Sequence, residues 1–427
     1  MITKQSIHGC WQWLSTLLLA LLALASGIHI FLILDHTIAR GSFADTPIFV
    51  ENARDFLRTG DLYDLTPPLE VTFSPAAWIY KFPPLYSLPY LLWVDPALPA
   101  NDDIYVIFLL WHVMRYFAVL LLCVRLFGPQ DDLRWGLLLF VVFVAFAPWI
   151  ESLFGLTFDN LLLLVLASVL ALLQSRWRMH TAWLLSYVSL AKLFPVTQLL
   201  VLIGSRDNRN ILWRCVVAGL LWLCLSVLAF GMPNHVAYYG AILPVLLGEE
   251  ISDLPNNMSL LAKWVAATGL PAISWSLPIL LASVVMVLWS SRRLVQLPAP
   301  QDREEMARLQ FAFIVPVMLL ILKNIWGNYQ LVLLLPFAII LGGAWRSQGV
   351  LRWLRWLLCT AAMFPQLATV NYQPLELGYI NELISGREGL FFSMIRWRHY
   401  SPLVLWFGAG FLLFFELRAA QRKNQMR

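Results

Sequence analysis

Repeated apolar runs are the feature that most limits how this chain can fold. The longest, such as Ile104–Phe127, exceed the roughly 20 residues with which a helix crosses a hydrocarbon core of about 30 Å. Hydrophobic residues make up 60% of the 427 residues and charged residues only 13%, which excludes a soluble domain of this size. We therefore predict an all-α polytopic membrane protein, with one transmembrane domain over residues 1–427. The apolar runs are Trp11–Leu34, Phe82–Val94, Ile104–Phe127, Trp135–Ile150, Asp159–Leu173, Thr181–Gly204, Ile211–Gly231, Ala272–Ser290, Gln310–Leu322, Gly327–Trp345, Leu351–Val370 and Pro402–Leu417.

The connectors between these runs are of two kinds. Short connectors and the C-terminal tail are rich in Arg, and cationic connectors stay in the cytoplasm. The connectors 35–81, 232–271 and 371–401 are longer and mixed or acidic, so we expect them on the outer face. Both termini are then cytoplasmic, and the protein is a multi-pass protein of a bacterial inner membrane.

Two arrangements of the runs agree with this charge pattern. In the first, Thr181–Gly204 goes out and back as two short halves with Pro195 at the outer tip, and Phe82–Val94 does not fully cross. In the second, each of these segments crosses once, which leaves several Arg residues outside. We favour the first arrangement, which has about 12 spans.

The sequence of the first external loop predicts a short amphipathic helix. Apolar residues recur at helical spacing on one face, charged residues take the other, and Gly60 ends the pattern. We expect this helix to lie in the membrane interface. The apolar positions are Ile48, Phe49, Ala53, Phe56 and Leu57, and the charged positions are Glu51, Arg54, Asp55 and Arg58.

Candidate chemistry lies where ionisable residues meet the bilayer, because a charge in lipid is costly. Asp45, Lys81, Lys192 and Lys323 fall at the external ends of apolar segments and could share one pocket. Each also has a structural interpretation. A Lys at a helix end can extend its amine to the interface, and Asp45 can cap the helix that Pro47 begins.

Other polar positions have similar pairs of interpretations. Asp159 and Asn160 stand at the start of a helix, where they could cap the helix or contact a ligand. Asn257 and Ser259 precede the segment Leu260–Ala267, and we interpret them first as a helix cap and second as contacts to a sugar. The chain has no His or Cys cluster with metal spacing, no Gly-rich phosphate loop and no aromatic and basic stripe. We therefore expect no metal, no other cofactor and no nucleic-acid partner.

Several stretches together resemble glycosyltransferase family 87, enzymes of the GT-C type that use polyprenyl-phosphate-mannose. The family order is matched between residues 45 and 336, most specifically by the first loop and the Lys-Leu-Phe-Pro segment. The matching residues are Asp45, Phe49, Asn52-Ala53-Arg54, Leu57, Gly60, Leu62-Tyr63, Phe82-Pro83-Pro84, Phe154-Gly155, Asp159-Asn160-Leu161, Ala191-Lys192-Leu193-Phe194-Pro195 and Asn257-x-Ser259.

The resemblance implies a GT-C-like helical bundle and a catalytic Asp at position 45. Asp45 would act as general base on an acceptor hydroxyl while the sugar leaves a lipid phosphate with inversion, at the periplasmic face. The acceptor would be a glycolipid, a polysaccharide or a protein. We assign the donor phosphate to Lys192, Lys81, Lys323 and Arg54, and substrate contacts to Glu51, Asn52, Tyr63, Asp159, Asn160, Asn257 and Asn328.

Two departures from the family pattern leave the sugar open between mannose and another hexose or pentose. Gly327 follows Trp326 where the family often has His, and the sequence has Thr157-Phe158-Asp159 where the family often has Gln before Asn. Two other functions compete with the first. A lipid or sugar transporter would use the same Pro-broken segments as binding elements, and a polysaccharide polymerase or ligase would use diphosphate-linked donors.

Overall fold

The computed structural model describes residues 13–28, 31, 34, 46–63, 65, 82–92, 94–95, 102–129, 132–155, 159–203, 206–248, 257–297, 299–325, 327–367 and 397–425. These ranges form helices and turns without a β-strand, which confirms the predicted all-α class. Asp45 and Lys81 lie outside the described residues.

The helices follow the apolar runs, with short connections between them. In chain order they are α1 Trp13–Ile28, α2 Thr46–Thr59, α3 Asp102–Phe127, α4 Leu133–Val144, α5 Ala147–Gly155, α6 Asp159–Leu173, α7 Thr181–Lys192, α8 Arg206–Ala237, α9 Leu260–Thr268, α10 Ile273–Leu294, α11 Pro300–Ile314, α12 Leu334–Arg346, α13 Gly349–Leu367 and α14 Ser401–Gln425.

Several of these helices can cross a membrane, which confirms a polytopic membrane protein. Within the described residues, 5 helical stretches are long and apolar enough to do so, or 6 if α4 and the following Ala147–Leu153, bent by 57°, form one span. The predicted number of about 12 spans stays a prediction. The five stretches are Tyr105–Phe127, Asn210–Leu246, Ile273–Leu294, Gly327–Arg346 and Ser401–Arg422.

Helix α12 lies at the centre of the bundle. Every residue from Leu334 to Ala344 is buried, and the helix packs against α3, α11 and α13. Glycine makes this approach possible, because a Cβ on Gly342 would overlap the backbone of Phe127 and one on Gly343 would overlap the guanidinium of Arg355.

A buried arginine joins three helices beside α12. Arg355 of α13 is 1% exposed and pairs with Glu305 of α11 at 2.8 Å and with Glu416 of α14 at 2.6 Å. Two carboxylates compensate one guanidinium, so breaking either pair would leave a charge in a buried site.

The predicted amphipathic helix of the first external loop is α2. Its apolar side is buried through Phe49 and Ala53, and Gly60, with φ +84°, ends it after Thr59. Asn234, beyond a break in α8 at Gly231, accepts from the Leu62 N–H at 2.8 Å and donates to the Gly60 carbonyl at 2.8 Å. This pair of bonds ties the end of the loop helix to α8.

The two Pro-containing segments are broken, as the sequence predicts. Phe82–Val94 forms a 3₁₀ turn at Pro84–Ser87 and a single helical turn at Leu88–Leu91. Thr181–Gly204 is interrupted at Leu193, whose φ of +54° is rare for a branched side chain, and Pro195 follows in a 3₁₀ turn. Which face of the membrane each break lies on stays a prediction.

Candidate functional site

A buried ion pair joins the start of α6 to the end of α7. The Lys192 Nζ lies 2.5 Å from Asp159 Oδ1, and the side chains are 4% and 0% exposed. Asp159 lies in the first turn of α6 and Lys192 in the last turn of α7, so each charge also matches the dipole of its own helix. The burial of Lys192 excludes the interpretation that its amine extends to the membrane surface.

The 3₁₀ turn Gly327–Leu333 before α12 contributes further contacts to both members of this pair. Asn328 donates from Nδ2 to Asp159 Oδ2 at 3.1 Å, and the Lys192 Nζ lies 4.1 Å from the ring centroid of Tyr329 and 5.3 Å from that of Phe194. Two aromatic faces therefore stabilise the cation where water is excluded. Three of the predicted site residues, Asp159, Lys192 and Asn328, meet in one cluster.

Asn160 has a structural contact beside this cluster. Its Nδ2 donates to the His112 carbonyl of α3 at 2.5 Å, and the His112 Nε2 lies 2.9 Å from Ser152 Oγ of α5. All three side chains are buried. The contact holds α6 against α3 and α5, and so fixes the position of Asp159.

The second group of predicted residues lies on α2. Arg54 is 3% exposed, and its Nη1 donates to both carboxylate oxygens of Glu51 at 3.0 Å. Its Nε and Nη2 are buried and have no hydrogen-bond partner among the described residues. Those two nitrogens lie on one edge of the guanidinium, the edge that binds carboxylate or phosphate oxygens bidentately.

Asn52 and Tyr63 close the loop around α2. Asn52 Nδ2 donates to the Leu62 carbonyl at 2.6 Å, and the Tyr63 hydroxyl donates to the Phe82 carbonyl at 2.6 Å. Phe82 in turn stacks on Tyr86 at 4.2 Å between ring centroids.

An aromatic layer connects the α2 group with the Lys192 cluster. The ring of Phe49 lies 5.7 Å from Phe82 and 5.3 Å from Tyr86, and the turn Pro84–Ser87 packs on α7. The two polar groups are thus held on one scaffold.

Asn257 and Ser259 hold the loop that precedes the 3₁₀ turn Gly327–Leu333. Asn257 Oδ1 accepts from the Ile325 N–H at 3.0 Å, and its Nδ2 donates to Asn324 Oδ1 at 3.0 Å. Ser259 caps α9 by accepting from the Ala262 N–H at 3.1 Å, which confirms the capping interpretation. Lys323 is half-buried in the loop that Asn257 holds.

Comparison with known proteins identifies the family of the chain. The family model described as "Glycosyltransferase family 87" matches residues 78–323, more than half of the sequence. The chain belongs to glycosyltransferase family 87. No curated protein and no solved structure matches it. As a member of this family it is a membrane glycosyltransferase, which acts on a sugar donor and an acceptor.

The stretch that matches family 87 contains some of the predicted site and not the rest. Lys81, Asp159, Asn160, Lys192, Asn257 and Lys323 lie inside it. The predicted site residues outside it are Asp45, Glu51, Asn52, Arg54, Tyr63 and Asn328.

Sequence analysis missed one polar group of this glycosyltransferase. Arg398, 1% exposed, pairs with Glu151 of α5, donates from Nη2 to the Gly327 carbonyl at 3.1 Å, and donates from Nε to Gln366 Oε1 at 2.8 Å. Gly327 leaves room for this group, because a Cβ there would overlap the Glu151 carboxylate in its present position. The signal that the sequence offered at this site was Gly327, which follows Trp326.

His399 lies next to Arg398 and is 6% exposed. Burial first, and then the nearby cations of Lys263 and Arg398, lower the pKa of its imidazole from the ordinary value to about 4. The ring is therefore neutral at physiological pH. Among the described residues, no group of three His, Cys, Asp or Glu side chains could hold a metal ion.

Proposed function

We propose that this glycosyltransferase transfers a hexose or pentose from a polyprenyl-phosphate donor to an acceptor hydroxyl at the periplasmic face of a bacterial inner membrane, with inversion. The observation that carries the proposal is the guanidinium of Arg54, which is buried and has an unpartnered bidentate edge among the described residues. A buried donor group without an acceptor costs about 1–3 kcal/mol, and more when it is charged. A donor phosphate would remove that cost.

The charges around Arg54 favour a phosphate over a second carboxylate side chain. Glu51 already takes Nη1, and its own side chain is 46% exposed, so it screens the guanidinium only in part. A lipid phosphate brings oxygens that can bind Nε and Nη2 together, and its leaving charge grows in the transition state. Arg54 would thus stabilise the leaving group.

Asp45 fits the general base by its place in the chain. It immediately precedes α2 in the sequence, nine residues before Arg54. An in-line displacement needs a base on the acceptor side of the anomeric carbon and a cation on the leaving-group side. Asp45 would supply the base and Arg54 the cation.

Other residues have supporting roles in this proposal. Lys192 is compensated by Asp159, so we rank it after Arg54 for the donor phosphate, and Asn328 and Asp159 would offer hydrogen-bond partners to the sugar. Lys81 and Lys323 would add positive charge at the external ends of their segments. Glu51, Asn52, Tyr63, Asn160 and Asn257 would shape the site through the loops that they hold.

Two substitutions test the proposal with purified protein, a panel of radiolabelled polyprenyl-phosphate sugars, and membrane extract as the source of acceptor. Asp45→Asn keeps the side-chain shape but removes its basicity, so kcat should fall by about 10²- to 10⁴-fold while donor binding stays unchanged. Arg54→Lys keeps the charge but loses the bidentate edge, so the donor KM should rise by about 10-fold or more.

Arg58→Lys is the matched control, because Arg58 is an exposed arginine on the same helix. It should leave both constants near those of the wild type. Transfer by Asp45→Asn at more than about half of the wild-type rate, in an assay limited by chemistry, would remove Asp45 as the base. An equal donor KM for Arg54→Lys and Arg58→Lys would place the phosphate elsewhere.

A further inference from the structure

A groove between α7 and α8 lies at the opposite end of α7 from the Lys192 cluster. It has a volume of about 490 Å³ and is formed by the first two turns of α7, the residues just before them, and the start of the membrane-crossing part of α8. Trp183 and Lys192 are nine residues apart, about 14 Å along the helix. The groove is therefore separate from the candidate site.

The walls of the groove are apolar and aromatic. Ala182, Trp183, Trp213 and Val217 line it, and Trp213 is 68% exposed. Trp222 fixes one wall by donating from its indole N–H to the Trp183 carbonyl at 3.0 Å and by packing edge-on against the Trp183 ring. An exposed apolar groove with Trp on both sides is typical of the boundary between lipid chains and head groups.

One end of the groove is positively charged. Arg214, which follows Trp213 on α8, is exposed and has no hydrogen bond or ion pair among the described residues. His180 lines the groove from the α7 side, and its ring lies 5.5 Å from Trp177, over which the Arg176 guanidinium sits at 5.1 Å. Among the side chains that the structure describes, no acidic one lines the groove.

We propose that this groove binds one anionic glycerophospholipid of the surrounding bilayer. An acyl chain would lie between Trp183, Trp213 and Val217, and the phosphate would contact Arg214 at the depth where α8 begins to cross the membrane. Anionic lipids are attracted to basic residues at the membrane boundary, and pockets between helices with a basic rim favour their head groups. The lipid would brace α7 against α8, whichever sugar the protein transfers.

Native mass spectrometry of the delipidated full-length protein tests this site. Phosphatidylglycerol and phosphatidylcholine with identical acyl chains are titrated in turn, and the Kd of the first bound lipid is measured. The wild type should bind phosphatidylglycerol about 5- to 10-fold more tightly, because both lipids offer a phosphate to Arg214 but the choline cation removes the net negative charge of phosphatidylcholine. Arg214→Gln should reduce that ratio to near one.

Two further variants separate the head group from the acyl chain. Val217→Trp fills the groove from an exposed position and should weaken the first binding event for both lipids. Arg292→Gln removes an exposed arginine from the end of α10 and should leave the ratio unchanged. Equal effects of Arg214→Gln and Arg292→Gln would overturn the site. Displacement of phosphatidylglycerol by millimolar inorganic phosphate would overturn the assignment to a lipid.

Discussion

Replacement of Lys192 by Met should lower the unfolding temperature of this protein by several degrees. The substitution keeps the length of the side chain but removes the charge that compensates Asp159, whose carboxylate is fully buried. Asn328 would remain as a partner at 3.1 Å, and a neutral amide cannot balance the charge of a carboxylate.

The size of the effect follows from the burial of both partners. Breaking a buried ion pair by removing one member costs about 3–5 kcal/mol. The loss of the cation above the Tyr329 ring at 4.1 Å acts in the same direction, although the two contributions share one charge and do not add. The unfolding entropy of a protein of 427 residues is about 0.9 kcal/mol per kelvin, so a loss of about 4 kcal/mol lowers its Tm by about 4 to 5 °C.

The assay is thermal unfolding in detergent, followed by the intrinsic fluorescence of the 20 Trp residues. The double variant Lys192→Met with Asp159→Asn removes both charges and nearly preserves both shapes, so it should regain most of the lost stability. Asp159→Asn alone should be as unstable as Lys192→Met, because it leaves the cation buried without its partner.

If the free energy of unfolding of Lys192→Met lies within about 1 kcal/mol of the wild-type value, the buried pair is refuted. It is also refuted if the double variant loses as much stability as the two single variants together. The double variant also addresses function. Wild-type donor KM in that protein would assign the pair to structure, and a raised donor KM would return Lys192 to the donor phosphate.

The remaining predictions concern the packing of a glycine, the pH dependence of stability and the hydrogen bonds of Asn257. Gly343→Ala should cost about 3 kcal/mol because its methyl group overlaps the Arg355 guanidinium, whereas Gly136→Ala, where a Cβ meets open space, should be neutral or slightly stabilising in the same unfolding assay. The lowered pKa of His399, about 4, means that stability is complete above pH about 6.5 and falls as pH drops toward 4, by up to about 3 kcal/mol; this slope should disappear in His399→Gln. Asn257→Ala should cost about 2 kcal/mol by leaving two backbone N–H groups without acceptors, measured by the same unfolding.

Local features of this chain could be predicted from sequence because short-range physics determines them. The face of α2, its end at Gly60 and the Ser259 cap each depend on residues within a few positions. The break after Lys192 was also predictable, because Pro195 cannot continue a helix.

Contacts between distant segments could not be predicted in the same way. Lys192 pairs with Asp159 across 33 residues and Arg398 with Glu151 across 247. Each of these side chains alone is compatible with a cap or a surface position, and only the packing of the helices decides the partner. The predicted donor-phosphate set therefore contained Lys192, whose charge is already compensated, beside Arg54, whose bidentate edge has no acceptor among the described residues.

The hydrogen bonds from Asn234 to the residues after α2 can form only after a long stretch of chain has been synthesised. Asn234 lies 172 residues after Leu62, and ribosomes add about 5–20 residues per second, so roughly 10 to 30 s pass between synthesis of the two partners. During that interval α2 has already been synthesised, but its closing contact does not yet exist. The segment next to Asp45 is thus completed late in synthesis, and a nascent chain released before Asn234 would carry the first loop without its clasp.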